Sequence, residues 1–292
     1  MTIKLKAFAK LNLLLDITGI MPNGYHYLNN VTQSVDIADT ITVTAEKNDS
    51  FDCRITCDNP SIPTDEKNIV YKAAKAFSDS TSFNISCRID IEKNVPLMGG
   101  MGGSSVDGAG VLYALNSIFE NVLSEEQILT LGEKVGADVP LCYLGGTLYS
   151  YSNENESGLE KITADTDAVF LCIQPDFCCS TGTAYKMYDE NPTVPYKKTS
   201  TFIEKLKTKG IIKASRDTYN IFTVLYNDKR IDEIKSDLIA SGAITSEMTG
   251  SGSVVFGVFD SEENALKAKG KLNLKYSKIF TCKPINKGII AL

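Results

Sequence analysis

A glycine-rich segment in the first half of the chain is the part of the sequence best suited to bind an anion. Residues 95–105 read Val-Pro-Leu-Met-Gly-Gly-Met-Gly-Gly-Ser-Ser and lead into the apolar pattern of a helix. Glycine lets the backbone approach a ligand closely, and a helix N-terminus offers free N–H groups with partial positive charge. The lysine of a G-x-x-x-x-G-K-[ST] loop is missing. The segment predicts a phosphate site of another type, with a plain connecting turn as the alternative.

Composition and charge narrow the classes of partner. The chain has 292 residues and a formal net charge of −6, without a long basic run. This balance argues against nucleic acid or an anionic membrane as partner. No apolar run approaches the roughly 18 residues of a spanning helix, and the first residues lack the apolar segment of a signal peptide. We therefore expect a cytoplasmic location.

The cysteines and the single histidine bear on metal chemistry and redox state. Eight cysteines and one histidine, His26, occur, and no two cysteines form a C-x-x-C pair. This pattern argues against a zinc site. We expect reduced cysteines that act mainly as small buried apolar residues.

Strand and helix signals alternate along the chain and predict an α+β protein of two lobes. In the first half we expect strands over 3–9, 11–18, 40–46, 51–57, 83–91 and 147–151. In the same half we expect helices over 68–77, from the glycine loop to about residue 120, and from 124 to 136. A capping box marks the start of the helix from 124 to 136. In the second half we expect strands over 168–174, 243–249, 253–260 and 278–284, and helices after 184 and over 197–209, 221–226, 231–241 and after Ser261. The polar stretch 152–158 is a candidate linker or hairpin turn, so the predicted domains are 1–155 and 156–292.

Three separated motifs occur together in this order. They are Ala-Lys-Leu-Asn-Leu at 9–13, the glycine loop at 96–105, and Met-Thr-Gly-Ser-Gly-Ser at 248–253. The combination resembles the signature of the GHMP kinases. The resemblance implies an N-terminal lobe like the second domain of ribosomal protein S5, a C-terminal ferredoxin-like lobe, an active site in the cleft between them, and ATP with Mg²⁺ as cofactors.

Further motifs resemble one family within the GHMP kinases, the 4-diphosphocytidyl-2-C-methyl-D-erythritol kinases. They are Asn-Gly-Tyr-His at 23–26, Gly-Ala-Asp-Val-Pro at 136–140, and Ser180-Thr181 followed by Tyr185. The resemblance implies phosphorylation of a 2-hydroxyl group by an ATP-dependent kinase of isoprenoid precursor biosynthesis, acting as a monomer or weak homodimer. Two alternatives stay open: a homoserine- or mevalonate-type kinase, and a non-catalytic nucleotide-binding homologue.

The resemblance also implies roles for individual residues. Lys10 lies beside the attacked hydroxyl, where a cation stabilises the charge of the transferred phosphoryl group. Asp138 pairs with Lys10 and acts as the general base or as an orienting group. The residues implied to bind ATP and its phosphates are Asn68, Lys93, Pro96, Leu97, Met98, Gly99, Gly100, Met101, Gly102, Gly103, Ser104 and Ser105, with Ser105 also a candidate metal ligand. The residues implied to bind the substrate are Asn12, Tyr25, His26, Thr181, Tyr185, Thr249 and Gly250, with two aromatic faces around the cytosine.

The chain departs from the family pattern at a few positions. Ser104 stands where the loop usually has glycine, and Val106 where it usually has a second serine. Ile221 follows Asn220 where related enzymes commonly read Asn-Asp. Asp107 is expected to be a favourable acid in the first turn of the helix.

Overall fold

The computed structural model describes residues 1–192 and 195–292 and has the predicted α+β architecture. The first lobe is built on an eight-stranded sheet. Its strands are β1 (Thr2–Ile20), β2 (His26–Asn48), β3 (Asp52–Cys57), β4 (Asn84–Glu92), β5 (Thr147–Ser152), β6 (Ser157–Ile162), β8 (Tyr219–Asn220) and β12 (Ile289–Ala291). The order is β12-β1-β2-β4-β3, with β5 beside β2, β6 beside β5, and β8 beside β1.

In the part of the chain that the structure describes, four helices belong to the first lobe. They are α1 (Ile69–Asp79), α2 (Gly103–Ile118), α3 (Glu125–Val135) and α4 (Val139–Leu144). The predicted capping box at the start of α3 is confirmed, because Ser124 and Gln127 bond each other's backbone N–H. Helix α2 is buried on nearly all sides. A side chain at Gly110 would come within 2.7 Å of Ile41 on the sheet, so glycine there allows close packing.

The second lobe contains an antiparallel sheet of four strands in the order β11-β7-β10-β9. The strands are β7 (Val169–Ile173), β9 (Thr245–Met248), β10 (Val255–Phe259) and β11 (Ile279–Cys282). The helices are α5 (Thr181–Glu190), α6 (Thr199–Ala214), α7 (Ile221–Tyr226), α8 (Lys229–Ala240) and α9 (Glu262–Leu272), and a short 3-10 helix covers Ser215–Asp217. A second apolar core lies between this sheet and its helices.

The first two predicted strands, 3–9 and 11–18, are one continuous strand in the structure. Strand β1 pairs with β2 along its whole length, and the register shifts between Phe8 and Lys10 and between Asn12 and Leu14. Irregularities of this kind bend a strand and redirect its side chains. They occur at Lys10 and Asn12, the two residues of the first motif that are predicted to bind the reacting groups.

Segments from the second half of the chain join the sheet of the first lobe. Residues 152–158 form the turn of the β5–β6 hairpin, with Asn153 N donating to Glu156 O at 2.8 Å. The predicted boundary between residues 155 and 156 therefore separates two paired strands, because β6 belongs to the first sheet. The last strand, β12, also returns to the first sheet and pairs with β1.

In the described ranges 1–192 and 195–292, no helix is both long and apolar enough to cross a membrane.

The return of the last strand, β12, to the first sheet depends on a close backbone contact between Gly145 and Gly288. A Cβ at Gly145 would lie 1.8 Å from Gly288 N, and Gly145 has a φ of +62°. We expect Gly145→Ala to lower the free energy of unfolding by about 3 kcal/mol through overpacking and backbone strain. Gly270→Ala is the control, because a Cβ there meets no described atom within 4 Å other than its chain neighbours and the backbone of its own helix. Equal denaturant midpoints for the two variants would contradict this account of the contact.

Candidate active site

A cleft of about 400 Å³ lies between the lobes. The first lobe contributes Lys10, Asn12, the glycine loop and Asp138 to its lining, and the second contributes residues of α5, α7 and the turn before β10. The lining includes these residues predicted from the sequence: Lys10, Asn12, Pro96, Leu97, Met98, Gly99, Gly100, Met101, Gly102, Gly103, Ser104, Ser105, Asp138, Thr181, Tyr185 and Gly250. The fold thus brings most of the predicted site residues to one place.

The glycine loop is shaped by contact with the second lobe. Val254 N donates to Gly99 O at 3.1 Å, and Gln174 Nε2 donates to Leu97 O at 2.7 Å. Gly100 has a φ of +76°, and a Cβ there would lie 2.1 Å from Thr249 O. Only glycine meets both conditions at this position without strain.

Helix α2 starts directly after the loop and turns its N-terminus toward the cleft. Its first residue is Gly103, preceded by Gly102 with a φ of +80°. The exposed Ser104 and the half-buried Ser105 both line the cleft. Val106 is fully buried in the core, so the hydroxyls of this turn come from 104 and 105. Such an N-terminus suits a phosphate group.

Lys10 lies at the centre of the cleft. Its Nζ donates to Asn12 Oδ1 at 2.5 Å and to Gly100 O at 2.9 Å, and lies 3.4 Å from Asp138 Oδ2. The Lys10 side chain is only 6% exposed, whereas that of Asp138 is 36% exposed. A mostly desolvated ammonium group beside a carboxylate can stabilise negative charge that develops between them.

Asp138 precedes α4 at the position of a helix cap, but its side chain does not act as one. Within the described part of the chain, its carboxylate receives no hydrogen bond from the first turn of α4. The carboxylate faces Lys10 instead. Burial, aided by the Asp138 charge, raises the pKa of Tyr185 to about 12. Tyr185 therefore keeps its proton at neutral pH.

Asn12 is fixed by neighbours on both lobes. Its Nδ2 donates to Asn30 Oδ1 at 2.8 Å, and its backbone N donates to Thr249 Oγ1 at 2.9 Å. Gly250, which follows Thr249 in the chain, is held by Asn220, whose Nδ2 donates to Gly250 O at 2.8 Å. Ile221, which departs from the family pattern, is fully buried in the second core. Its apolar side chain contributes to the packing of that core.

The aromatic residues are arranged differently from the predicted sandwich. The ring centroids of His26 and Tyr185 are only 4.7 Å apart, and His26 Nε2 contacts Asp189 Oδ1 at 2.7 Å. Tyr25 is 73% exposed. In this structure a histidine covers one face of Tyr185, and His26 and Tyr25 lie outside the lining of the cleft. Their roles in binding a base stay predictions.

Asn68 and Lys93 also lie away from the cleft lining. Asn68 caps α1, with Oδ1 accepting from Val70 N at 3.0 Å and Nδ2 donating to Pro63 O at 2.6 Å. Lys93 is buried behind the glycine loop and donates to Asp107 Oδ2 at 2.6 Å. The expectation that Asp107 is an ordinary acid in the first turn is therefore wrong, since it takes part in a buried ion pair.

Several lining residues were not singled out from the sequence. They are Leu15, Leu28, Asn30, Phe222 and Ser251. Ser251 belongs to the third motif, and its Oγ lies 2.7 Å from Thr181 Oγ1. Phe222 packs edge-on against Tyr185 at a centroid distance of 5.1 Å. Apart from Ser251, no local motif marks these positions, because their place in the cleft depends on how the two lobes meet.

The donor set of the cleft fits a magnesium ion that binds together with a nucleotide. Mg²⁺ prefers oxygen ligands and usually takes only one or two from protein, with the rest from phosphates and water. The Ser105 hydroxyl and the Asp138 carboxylate supply oxygens in the lining. Among the described residues there is no group of three His, Cys, Asp or Glu side chains suited to hold a metal alone.

Two family models match this chain. Residues 68–146 match the model of the GHMP kinases N terminal domain, and residues 221–278 match that of the GHMP kinases C terminal region. The fold is similar to crystal structures of 4-(cytidine 5'-diphospho)-2C-methyl-D-erythritol kinase and of homoserine kinase from Cytophaga hutchinsonii. The TM-scores are 0.76 and 0.77, with 22% and 19% identity. These two alignments cover 96% and 100% of this chain, and 98% and 97% of the other chains.

Curated relatives align along nearly the entire chain. The 4-diphosphocytidyl-2-C-methyl-D-erythritol kinase of Clostridium botulinum (strain Alaska E43 / Type E3) is 34% identical over 96% of this chain and 99% of its own length. That of Caldanaerobacter subterraneus subsp. tengcongensis is 34% identical over 99% of both chains. The chain belongs to the 4-diphosphocytidyl-2-C-methyl-D-erythritol kinase family of the GHMP kinases.

Proposed function

We propose that this protein transfers the γ-phosphoryl group of ATP to the 2-hydroxyl of 4-diphosphocytidyl-2-C-methyl-D-erythritol, a step of isoprenoid precursor biosynthesis. The observation that carries the proposal is the position of Lys10, whose Nζ lies 3.4 Å from Asp138 and 2.9 Å from the carbonyl of Gly100 in the glycine loop. The named activity of relatives 34% identical over nearly the full length supports the choice of substrate.

The mechanism relies on positioning and charge more than on a strong base. Phosphoryl transfer passes through a loose transition state in which charge spreads over the transferred group. The N–H groups around Gly99–Ser105 would hold the phosphates, and Lys10 would neutralise the developing charge. Asp138 would orient the hydroxyl and accept its proton. Asn12, held by Asn30 and Thr249, would keep Lys10 in place through its 2.5 Å hydrogen bond.

Magnesium belongs to the proposal as the partner of ATP. Bound to the phosphates, the ion would neutralise charge on them. Ser105 is the proposed protein ligand, and Asp138 is the carboxylate among the described residues of the lining. One chain supplies both walls of the cleft, which supports the proposal of a monomer or weak homodimer. A cytoplasmic location is part of the same proposal.

The alternative kinase functions differ in the molecule that accepts the phosphoryl group. The homoserine kinase fold is as similar as that of the cytidyl kinase, with TM-scores of 0.77 and 0.76, so the fold leaves the acceptor open. Tyr185 and Phe222 give the cleft an aromatic wall, and such a wall suits a pyrimidine ring. This wall favours the cytidyl substrate.

The direct test is ADP release measured with ATP, Mg²⁺ and one acceptor at a time. We expect release with 4-diphosphocytidyl-2-C-methyl-D-erythritol and none above background with homoserine or mevalonate. Release with either of these alone would replace the proposed acceptor. ATP binding without transfer to any of the three would favour a non-catalytic role.

Lys10 and Asp138 are expected to act as a unit in catalysis. Lys10→Met and Asp138→Asn should each lower kcat by at least about 10²-fold, because each removes charge stabilisation at the reacting atoms. The double variant should lose at most about tenfold more than the worse single variant. Lys4→Met, which changes an exposed lysine of the same strand, is the control. Steady-state kinetics within threefold of wild type for Lys10→Met would contradict the mechanism.

Tyr185 is expected to contribute to affinity for the acceptor. Removal of a stacking ring costs about 1–3 kcal/mol per base, so Tyr185→Ala should raise KM for the cytidyl substrate by about 5- to 150-fold. The KM for ATP should stay within twofold and serves as the internal control. A larger change in the KM for ATP than in that for the acceptor would assign Tyr185 to the nucleotide side of the cleft.

A further inference from the structure

A buried cluster of three charged side chains lies behind the glycine loop. Lys93 Nζ contacts Asp39 Oδ2, donates to Asp107 Oδ2 at 2.6 Å, and donates to the carbonyl of Gly103 at 3.1 Å. The exposed fractions of the Lys93, Asp39 and Asp107 side chains are 4%, 0% and 6%. Buried charges of this kind are retained only when they are paired and hydrogen-bonded.

The cluster joins the two ends of the glycine loop. Asp39 Oδ1 accepts from Asn94 N at 2.6 Å and from Val95 N at 2.8 Å, which fixes the point where the chain leaves β4. The Lys93 side chain holds Gly103, the first residue of α2. Asp39 and Lys93 therefore set the distance between the start of the loop and the start of the helix.

The Lys93 ammonium group is already neutralised by protein carboxylates. Burial by itself lowers the pKa of Lys93, but the charges of Asp107 and Asp39 outweigh it, and the net shift of its pKa is upward. Burial raises the pKa of Asp107 well above its usual value. In the described chain, Asp107 Oδ1 has no hydrogen-bond partner. Asp39 thus carries more of the loop's bonds than Asp107 does.

We propose that Asp39, acting through Lys93 and the amides of Asn94 and Val95, is a positioning residue for ATP. It holds the glycine loop in the shape that presents its N–H groups to the phosphates before the nucleotide arrives. Lys93 serves this purpose from behind the loop and is not a phosphate ligand. The proposal rests on the proposed function in one respect, namely that the glycine loop binds the phosphates of ATP.

The test is Asp39→Asn, with ADP·Mg²⁺ binding followed by calorimetry and KM followed for ATP and for the acceptor. Asparagine keeps the size of the side chain but loses the charge that holds Lys93. We expect ADP to bind at least tenfold more weakly and the KM for ATP to rise at least tenfold, with the KM for the acceptor within twofold. If Lys93 were a phosphate ligand, its release from Asp39 would leave nucleotide affinity unchanged or higher, and that result would overturn the proposal.

Three further variants separate positioning from general loss of stability. Asp217→Asn removes a carboxylate of the short 3-10 helix that pairs with Lys198 and Lys205, and should leave ADP affinity of the folded protein within twofold. Asp107→Asn should weaken ADP binding less than Asp39→Asn does. If Asp39→Asn does not fold, Asp39→Asn/Lys93→Gln/Asp107→Asn removes all three buried charges of the cluster. Its affinity for ADP should fall at least threefold, and an unchanged affinity would overturn the proposal.

Failure of this proposal is distinguishable from failure of the proposed function. ADP binding by the wild-type protein tests the nucleotide site without any acceptor. If the wild type binds ADP and Asp39→Asn binds it equally well, the positioning role is wrong while the kinase function stands. If the wild type binds no nucleotide, both the positioning role and the proposed kinase function are wrong.

Discussion

The packing of the glycine loop against the turn between β9 and β10 is the contact on which the rest of the site depends. Gly100 lies so close to Thr249 O that a Cβ would come within 2.1 Å. The carbonyl of Gly100 accepts from Lys10 Nζ at 2.9 Å, and Thr249 Oγ1 accepts from Asn12 N at 2.9 Å. One small region of backbone therefore joins the glycine loop, the first strand and the second lobe. A shift of the lobes would move the loop and Lys10 together.

Charge is distributed on both sides of the loop in a way that suits a polyphosphate ligand. On the cleft side, Lys10 lies beside Asp138, and the start of α2 also lines the cleft. On the far side, Lys93 is already paired with Asp39 and Asp107. Among the described residues that line the cleft, the cationic side chain is Lys10, whereas Lys93 is paired behind the loop. Donors fixed in advance need little reorganisation during the reaction, which is a main source of catalytic power in sites of this type.

Much of the fold and part of the candidate site could be predicted from local sequence patterns. The start of α3, the span of α7 and the cleft position of the glycine loop follow from capping residues, apolar periodicity and glycine spacing. Asp39 could not be found in this way, because it lies in a long strand and its partner Lys93 is 54 residues away. Residues such as Phe222 enter the cleft only through the docking of the lobes. The family resemblance implies a role for Lys93 in binding ATP, and local sequence cannot tell which way a side chain points.

The measurement that tests the central claim most directly is a crystal structure with a non-hydrolysable ATP analogue, Mg²⁺ and the cytidyl acceptor. The account predicts that the phosphates contact the N–H groups of 99–105, and that the γ-phosphate lies beside Lys10. It also predicts that the loop keeps its bonds to Thr249 and Val254 with backbone shifts of about 1 Å or less. A triphosphate bound elsewhere, or a loop that leaves the second lobe to reach the nucleotide, would contradict the account.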